Sequence, residues 1–179
     1  MENPALSRAI LIAARTFDGE TDRQGDPYVA HAIRVMLDVE GDDAKIVALL
    51  HDTLEWGSLT WNELRDAGFS SRVLGAIDAM TDREGETLSE QISRIRSNPL
   101  ALRVKIADIR DNSQKWRTSR MDPETRDQMM SKYRDTAELL GTTLHAIRKR
   151  SPELDSLVRR RDVSTVPGGI EDSSAVRKQ

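Results

Sequence analysis

Five of the six prolines in this chain follow a residue whose side chain can cap a helix: Asn3-Pro4, Asp26-Pro27, Asn98-Pro99, Asp122-Pro123 and Ser151-Pro152. An oxygen at the N-cap satisfies an orphan amide of the first turn. Proline in the next position presets φ and gives up a donor that the helix does not need. Each pair therefore predicts a helix start. Thr60 with Glu63 and Thr87 with Glu90 add two capping boxes, in which side chain and backbone bond reciprocally.

Periodicity points the same way. Leu6, Ile10, Ala13 and Phe17 share one helical face, as do Val73, Leu74, Ile77 and Met80, and then Leu88, Ile92 and Ile95. Met130, Tyr133, Ala137, Leu140 and Leu144 form a longer stripe on a late helix. No alternating strand pattern stands out, and aromatic residues are only 4% of the chain, so strands lack their usual signal. The expectation is an all-α fold, one compact bundle of about eight or nine helices. At 179 residues and 37% hydrophobic composition, one domain over residues 1–161 is expected. Residues 162–179 are polar, carry Pro167, Gly168 and Gly169, and cannot bury enough to offset their ordering entropy, so a disordered tail is expected there.

Composition also narrows the chemistry. Cysteine is absent, which excludes a disulfide framework and a thiolate zinc site and fits a reducing cytoplasm. Any metal must be held by His, Asp or Glu. The first twenty residues have no cationic leader region and their apolar run is interrupted by Arg15, so neither a signal peptide nor a membrane span is expected. A net charge of −3 offers no general attraction to nucleic acid, and the short basic clusters at 148–150 and 159–161 read as solvated helix ends.

Against that background, polar residues intrude at three apolar places. In ALLHDTLEWG, a helix continued through Trp56 would put His51 and Glu55 on one face, with Asp52 about 100° round. In DPYVAHAIRVM, His31 sits among apolar neighbours. In PLALRVKIADIRDNS, Asp108 lies in a helix apolar nearly all round, with Asn112 one turn on. A lone buried His is more often a hydrogen-bonded core residue than a ligand, and Asp108 can pair with Lys105 or Arg110. Together, however, three apolar segments bring imidazole or carboxylate inward, and a buried carboxylate must be paired, protonated or metal-bound. Two His and two Asp suit Mn²⁺, Fe²⁺, Mg²⁺ or Zn²⁺.

The His51-Asp52 doublet, with an upstream helical His and a downstream buried Asp, resembles the HD-domain metal phosphohydrolases. The series DRQGDPYVAHAIRV, ALLHDTLEWG and NPLALRVKIADIRDN is similar to the hydrolase domain of the RelA/SpoT group, especially its small alarmone hydrolases, over residues from about 5 to about 140. The resemblance implies metal ligands at His31, His51, Asp52 and Asp108. It implies a catalytic acid or base at Glu55, a substrate-facing role for Asn112, a basic substrate contact at Arg23 and a nucleotide contact at Tyr133. Lys105 is a further electrostatic candidate for binding phosphates. Taken singly, Arg23 is equally a solvated loop cation, Tyr133 a core member of its apolar stripe and Asn112 a helix cap.

One departure matters: where those hydrolases usually carry Glu then Asp after the HD doublet, the second position here is Trp56, expected to border the same pocket. With only three His in the chain, and His145 outside the matching motifs, one divalent ion is expected, Mn²⁺ above others. The implied activity is hydrolysis of guanosine alarmones such as ppGpp or pppGpp to GDP or GTP and pyrophosphate in the cytoplasm. A phosphatase acting on another nucleotide and a nucleotide-binding regulatory pseudoenzyme are the alternatives.

Overall fold

The computed structural model describes residues 4–56 and 59–162, with side chains through residue 158. Eleven helices lie in that range: α1 (Pro4–Thr16), α2 (Tyr28–Leu37), α3 (Asp42–Leu50), α4 (Trp61–Asp66), α5 (Ser71–Met80), α6 (Leu88–Arg96), α7 (Pro99–Asn112), α8 (Lys115–Thr118), α9 (Pro123–Leu139), α10 (Leu144–Lys149) and α11 (Pro152–Asp162). Among the described residues there is no strand, only an isolated bridge between Thr21 and Pro27. No described helix is long and apolar enough to cross a membrane. The expected disordered tail lies outside the described residues, apart from Asp162 at the end of α11.

Helix starts follow local capping chemistry. Asn98 accepts from the amides of Leu100 and Ala101, and Asp122 from that of Thr125. Both capping boxes form, Thr60 with Glu63 and Thr87 with Glu90. α1 and α11 begin at the expected prolines. The Asp26-Pro27 pair behaves differently: α2 starts at Tyr28, Pro27 is its N-cap, and no side chain caps it. Asp26 is instead drawn to the Arg120 guanidinium, and the Tyr28 amide bonds to the Glu20 carbonyl. A tertiary ion pair has displaced the local cap.

Four other expectations shift. The helix carrying His51 stops at Leu50, and residues 51–56 form consecutive turns. Both the amide and the hydroxyl of Thr53 bond to the Leu50 carbonyl, at 3.1 and 2.7 Å, so a threonine competes with the helical ladder and tightens the chain. The late stripe is divided by Gly141, whose φ of +83° costs glycine little, so Leu144 opens the separate helix α10. α10 and the four-residue α8 raise the count above nine, because helices this short leave little periodic signal. In α1, Ile10 is 46% exposed while the smaller Ala9 is buried, since close approach at that face favours a small side chain.

α3 and α7 are the central pair. α3 packs against α1, α2, α5 and α7, and α7 against α2, α3, α5, α6, α10 and α11. Residues 46–50 of α3 are all buried, as are Leu100, Leu102, Val104, Ile106 and Ile109 of α7. α7 also buries Asp108 and Asp111, and so carries carboxylates into the core. Asn98→Ala should destabilise the fold by about 1 kcal/mol, the usual contribution of an N-cap side chain. Urea unfolding should report a lower midpoint with an unchanged slope; an unaltered midpoint would remove Asn98 as a stabilising cap.

Candidate metal centre

Three elements deliver the polar core. α2 brings His31 on its first turn, the end of α3 brings His51, and α7 brings Asp108 from its buried face. The two imidazole rings lie 5.5 Å apart between centroids, and both residues are buried. His31 Nε2 is 3.3 Å from Asp108 Oδ1, and His51 Nε2 is 3.8 Å from the same oxygen. Ligand-type atoms of His31, His51 and Asp108 all fall within 4.8 Å of one another.

The other ring nitrogens are already engaged. His51 Nδ1 lies 2.8 Å from the Ala48 carbonyl, an oxygen that can only accept, so Nδ1 carries a hydrogen. His31 Nδ1 lies 2.7 Å from Asp111 Oδ2, which calls for the same tautomer. Neither Nε2 has an aligned hydrogen-bond partner: that of His31 faces Asp108, and that of His51 lies between Asp52 and Asp108. Orienting a ligand imidazole through its second nitrogen is a recurrent device of metal sites. Unpartnered buried nitrogens beside a carboxylate suit a divalent first-row cation such as Mn²⁺, Fe²⁺ or Zn²⁺.

Electrostatics agree. Burial alone would push the His51 imidazole down, but Asp52 and Asp108 outweigh it and hold it up, to about 9. His31 is likewise raised, with burial opposed by Asp108 and Asp111. Asp108 is held well below the usual carboxylate range, because Lys105 and the two imidazoles outweigh its burial. The Asp108 carboxylate therefore stays ionised despite its burial, because cationic groups surround it.

Asp52 stands at the edge of this group. Its Oδ2 is 3.0 Å from His51 Nε2 and accepts the Tyr28 hydroxyl. Tyr28 is in turn packed against Trp56, with ring centroids 4.6 Å apart, and against Phe17 at 4.9 Å. Trp56 does border the cavity, as expected, but its ring also supports the tyrosine that holds Asp52.

A cavity of about 490 Å³ opens beside the cluster, and Asp52, Glu55, Asp108 and Asn112 line it together with Arg23, Lys105 and Tyr133. Glu55 is exposed at its rim, where the Asp82 amide donates to Oε1 at 3.1 Å. Crowding by the surrounding protein and the charge of Asp52 hold the Glu55 carboxyl above its ordinary range. Asn112 donates to Asp108 Oδ1, so it steadies that carboxylate and does not cap α7, whose C-cap is Ser113. Lys105 is committed to Asp108 Oδ2 at 2.9 Å, which raises its pKa against the effect of burial. It neutralises Asp108 before it can neutralise a phosphate. Tyr133 is half-buried, its hydroxyl 4.0 Å from Met129 Sδ.

Sequence patterns did not point to Asp111, Arg34 and Arg117. Asp111 Oδ1 accepts from Arg34 Nε at 2.7 Å, and its Oδ2 accepts from Arg117 Nη1. Burial works against the Asp111 carboxylate, yet His31 and Arg34 outweigh it and pull it down to about 2. Its one sequence signal is a second carboxylate on α7 next to the Asp108–Asn112 face; its partners Arg34 and His31 are 77 and 80 residues away in the chain.

No family model matches the chain. It is 31% identical over 155 residues to a probable GTP pyrophosphokinase of Mycobacterium leprae, covering 79% of this chain and 19% of that protein. It is 28% identical over 119 residues to a guanosine-3′,5′-bis(diphosphate) 3′-pyrophosphohydrolase of Aquifex aeolicus, covering 60% of this chain and 17% of that protein. The chain thus spans about a fifth of the length of such curated relatives. Among solved structures, a metazoan ortholog of SpoT described as hydrolyzing ppGpp superposes with a TM-score of 0.64 at 21% identity, covering 90% of this chain and 97% of that one. The chain is thus similar in sequence to a part of RelA/SpoT-type proteins, among them 3′-pyrophosphohydrolases, and shares the all-α fold of a SpoT ortholog.

Proposed function

We propose that this protein is a cytoplasmic, Mn²⁺-dependent hydrolase that removes the 3′-pyrophosphate of ppGpp and pppGpp, giving GDP or GTP and pyrophosphate. The observation that carries this reading is the pair of unpartnered Nε2 atoms of His31 and His51 converging with Asp108 beside a nucleotide-sized cavity. The names of the hydrolase relatives supply the substrate class.

His31, His51 and Asp108 would hold one divalent ion, with Asp52 as the fourth ligand. Such an ion supplies Lewis acidity, which acidifies water and polarises a phosphoryl oxygen. Glu55 does the proton work. Its raised carboxyl, oriented by the Asp82 amide, accepts the proton of the attacking water. The water oxygen bonds to the phosphorus on the ribose 3′ oxygen, that phosphorus–oxygen bond breaks, and Glu55 returns the proton to the departing ribose oxygen. Asn112 and Lys105 keep Asp108 fixed and ionised. Arg23, the cavity-lining cation on the loop before α2, faces the phosphates, and Tyr133 meets the nucleotide. Trp56 cannot exchange protons, so acid/base work falls to Glu55 alone.

A second reading is favoured by Trp56: with an indole where the resembling hydrolases carry an acid, the substrate is another nucleotide and the reaction a phosphatase step. The deciding assay supplies purified protein and Mn²⁺ with ppGpp, pppGpp and ordinary nucleotides, and identifies products. GDP and pyrophosphate from ppGpp are expected. Turnover of another nucleotide alone moves the assignment to the second reading, and no turnover with bound metal moves it to a regulatory pseudoenzyme. Because relatives named as pyrophosphokinases also match, synthesis from GTP and ATP is assayed beside hydrolysis, and none is expected.

Asp108→Ala should abolish tightly held metal, since it removes the carboxylate shared by both imidazoles. Elemental analysis reads this directly, and wild-type metal content would rule out the coordination proposed. Glu55→Gln should keep the metal while lowering kcat on the order of 10²- to 10⁴-fold, the usual contribution of a positioned acid or base. A kcat within a factor of a few of wild type would take Glu55 out of the mechanism.

A further inference from the structure

Arg117 is 3% exposed and belongs to the four-residue α8, outside every segment that contributes a proposed metal ligand. Its guanidinium makes two sets of contacts in opposite directions. Nη1 donates to Asp111 Oδ2, the same oxygen that lies 2.7 Å from His31 Nδ1, and Nη1 itself lies 3.1 Å from that Nδ1. Nη2 donates to Asp22 Oδ2 at 2.9 Å and to Gln24 Oε1 at 3.2 Å. Asp22 and Gln24 belong to the loop that carries Arg23 to the cavity.

That loop depends on Asp22. Asp22 Oδ1 accepts from the amides of Gln24 at 2.9 Å and Asp26 at 3.0 Å, while the Asp22 amide donates to the Asp26 carbonyl at 2.8 Å. The Asp22 side chain, only 4% exposed, is thus both the organiser of the turn and the loop's ion pair to Arg117. Arg120 clamps the outer side of the same loop through Asp26 and the Gln24 carbonyl, but it reaches nothing at the imidazoles.

We infer that Arg117 is a positioning residue that couples the metal centre to the Arg23 loop: one planar fork fixes the carboxylate that orients His31 and, with its other nitrogen, the carboxylate that shapes the loop. The inference rests on the metal reading above and adds to it a link between ion binding and the substrate-facing loop. Ion binding pins His31, His31 pins Asp111, and Arg117 then holds Asp22 in a fixed place; by linkage, ordering the loop tightens the ion to the same degree. Only arginine can do this, because lysine presents a single point charge without a rigid fork. A residue that merely lies between two sites need not couple them, so the test measures the coupling itself.

The experiment combines Mn²⁺ titration calorimetry with amide hydrogen exchange at Gln24 and Asp26 in the full chain. In the wild type, Mn²⁺ should slow exchange at both amides by about fivefold or more, the low end of typical coupling between sites. Arg117→Lys should weaken Mn²⁺ binding by about tenfold, as expected when the support of a ligand imidazole is lost, and should erase the slowing. Asp22→Asn keeps Oδ1 as the turn acceptor and cuts the ion pair from the loop side. It should weaken Mn²⁺ binding in the wild-type background and have no further effect in Arg117→Lys. Should Arg117→Lys fail to fold, Asp22→Asn decides the matter alone. Arg120→Ala is the control: it frees the outer side of the loop and leaves the Arg117 fork intact, so exchange should be faster overall while the slowing by Mn²⁺ persists. Unchanged Mn²⁺ affinity in Asp22→Asn, or slowing that survives in Arg117→Lys, overturns the coupling while leaving the metal centre standing. A wild type that takes up no Mn²⁺ sinks the metal reading and the coupling together, so the two failures are told apart by calorimetry.

Discussion

Placing Asp108 on the buried face of α7, among Leu102, Val104, Ile106 and Ile109, is the constraint around which this fold is arranged. A carboxylate there carries a desolvation cost of several kcal/mol unless its oxygens are engaged. Oδ2 is taken by Lys105, one turn earlier on α7, while Oδ1 receives Asn112 and faces the imidazoles of His31 and His51. Those imidazoles can approach only because α2 and α3 both pack on α7. The same contacts that close the apolar core therefore gather the polar cluster, and neither can move without the other.

The cluster is supported from two sides by different means. On the Asp52 side the support is aromatic: Phe17 and Trp56 hold Tyr28, whose hydroxyl bonds to Asp52. On the His31 side it is ionic: Arg34 and Arg117 hold Asp111, and Arg34 is itself 5.1 Å from the Trp116 ring centre. The aromatic side explains how a tryptophan fits next to Glu55 where an acid is usual in the resembling hydrolases. Its indole fills the space behind Tyr28, leaving Glu55 as the titratable group whose carboxyl is raised at the cavity rim. The ionic side gives the site rigidity through charge pairs that lie out of water, where such pairs act strongly but only when complete.

Relatives with hydrolase and pyrophosphokinase names match this chain over a part of their own length. The polar cluster and the cavity beside it are both lined by described residues of this chain. What the cavity adds is polarity of both signs: Asp52, Glu55 and Asp108 on one hand, Arg23, Lys105 and Lys132 on the other. That mixture suits a polyphosphate gripped near a cation-binding centre better than it suits an apolar ligand.

Local rules made much of this protein legible. Asn98, Asp122 and the two capping boxes announce their helices because a cap acts over three residues, and the apolar run of α7 marks that helix as buried wherever it packs. His31, His51 and Asp108 stand out because each breaks an apolar pattern, although sequence alone leaves open whether they meet or pair separately. Where competition is not local, sequence patterns mislead. Asp26 abandons its cap for Arg120, 94 residues on; α3 ends early at Leu50, onto whose carbonyl Thr53 folds back; and Gly141 divides a stripe that periodicity joins. Asp111 is invisible in the sequence as a partner of His31, 80 residues away, and Arg117 as the bridge from Asp111 to Asp22, 95 residues away. The sequence by itself determined the helices, their apolar faces and the places where charge enters the core, because those follow from interactions within a turn or two. Which charges face one another was decided only when packing brought distant segments to hydrogen-bonding range, since an ion pair is set by distance in space and leaves no periodic trace along the chain.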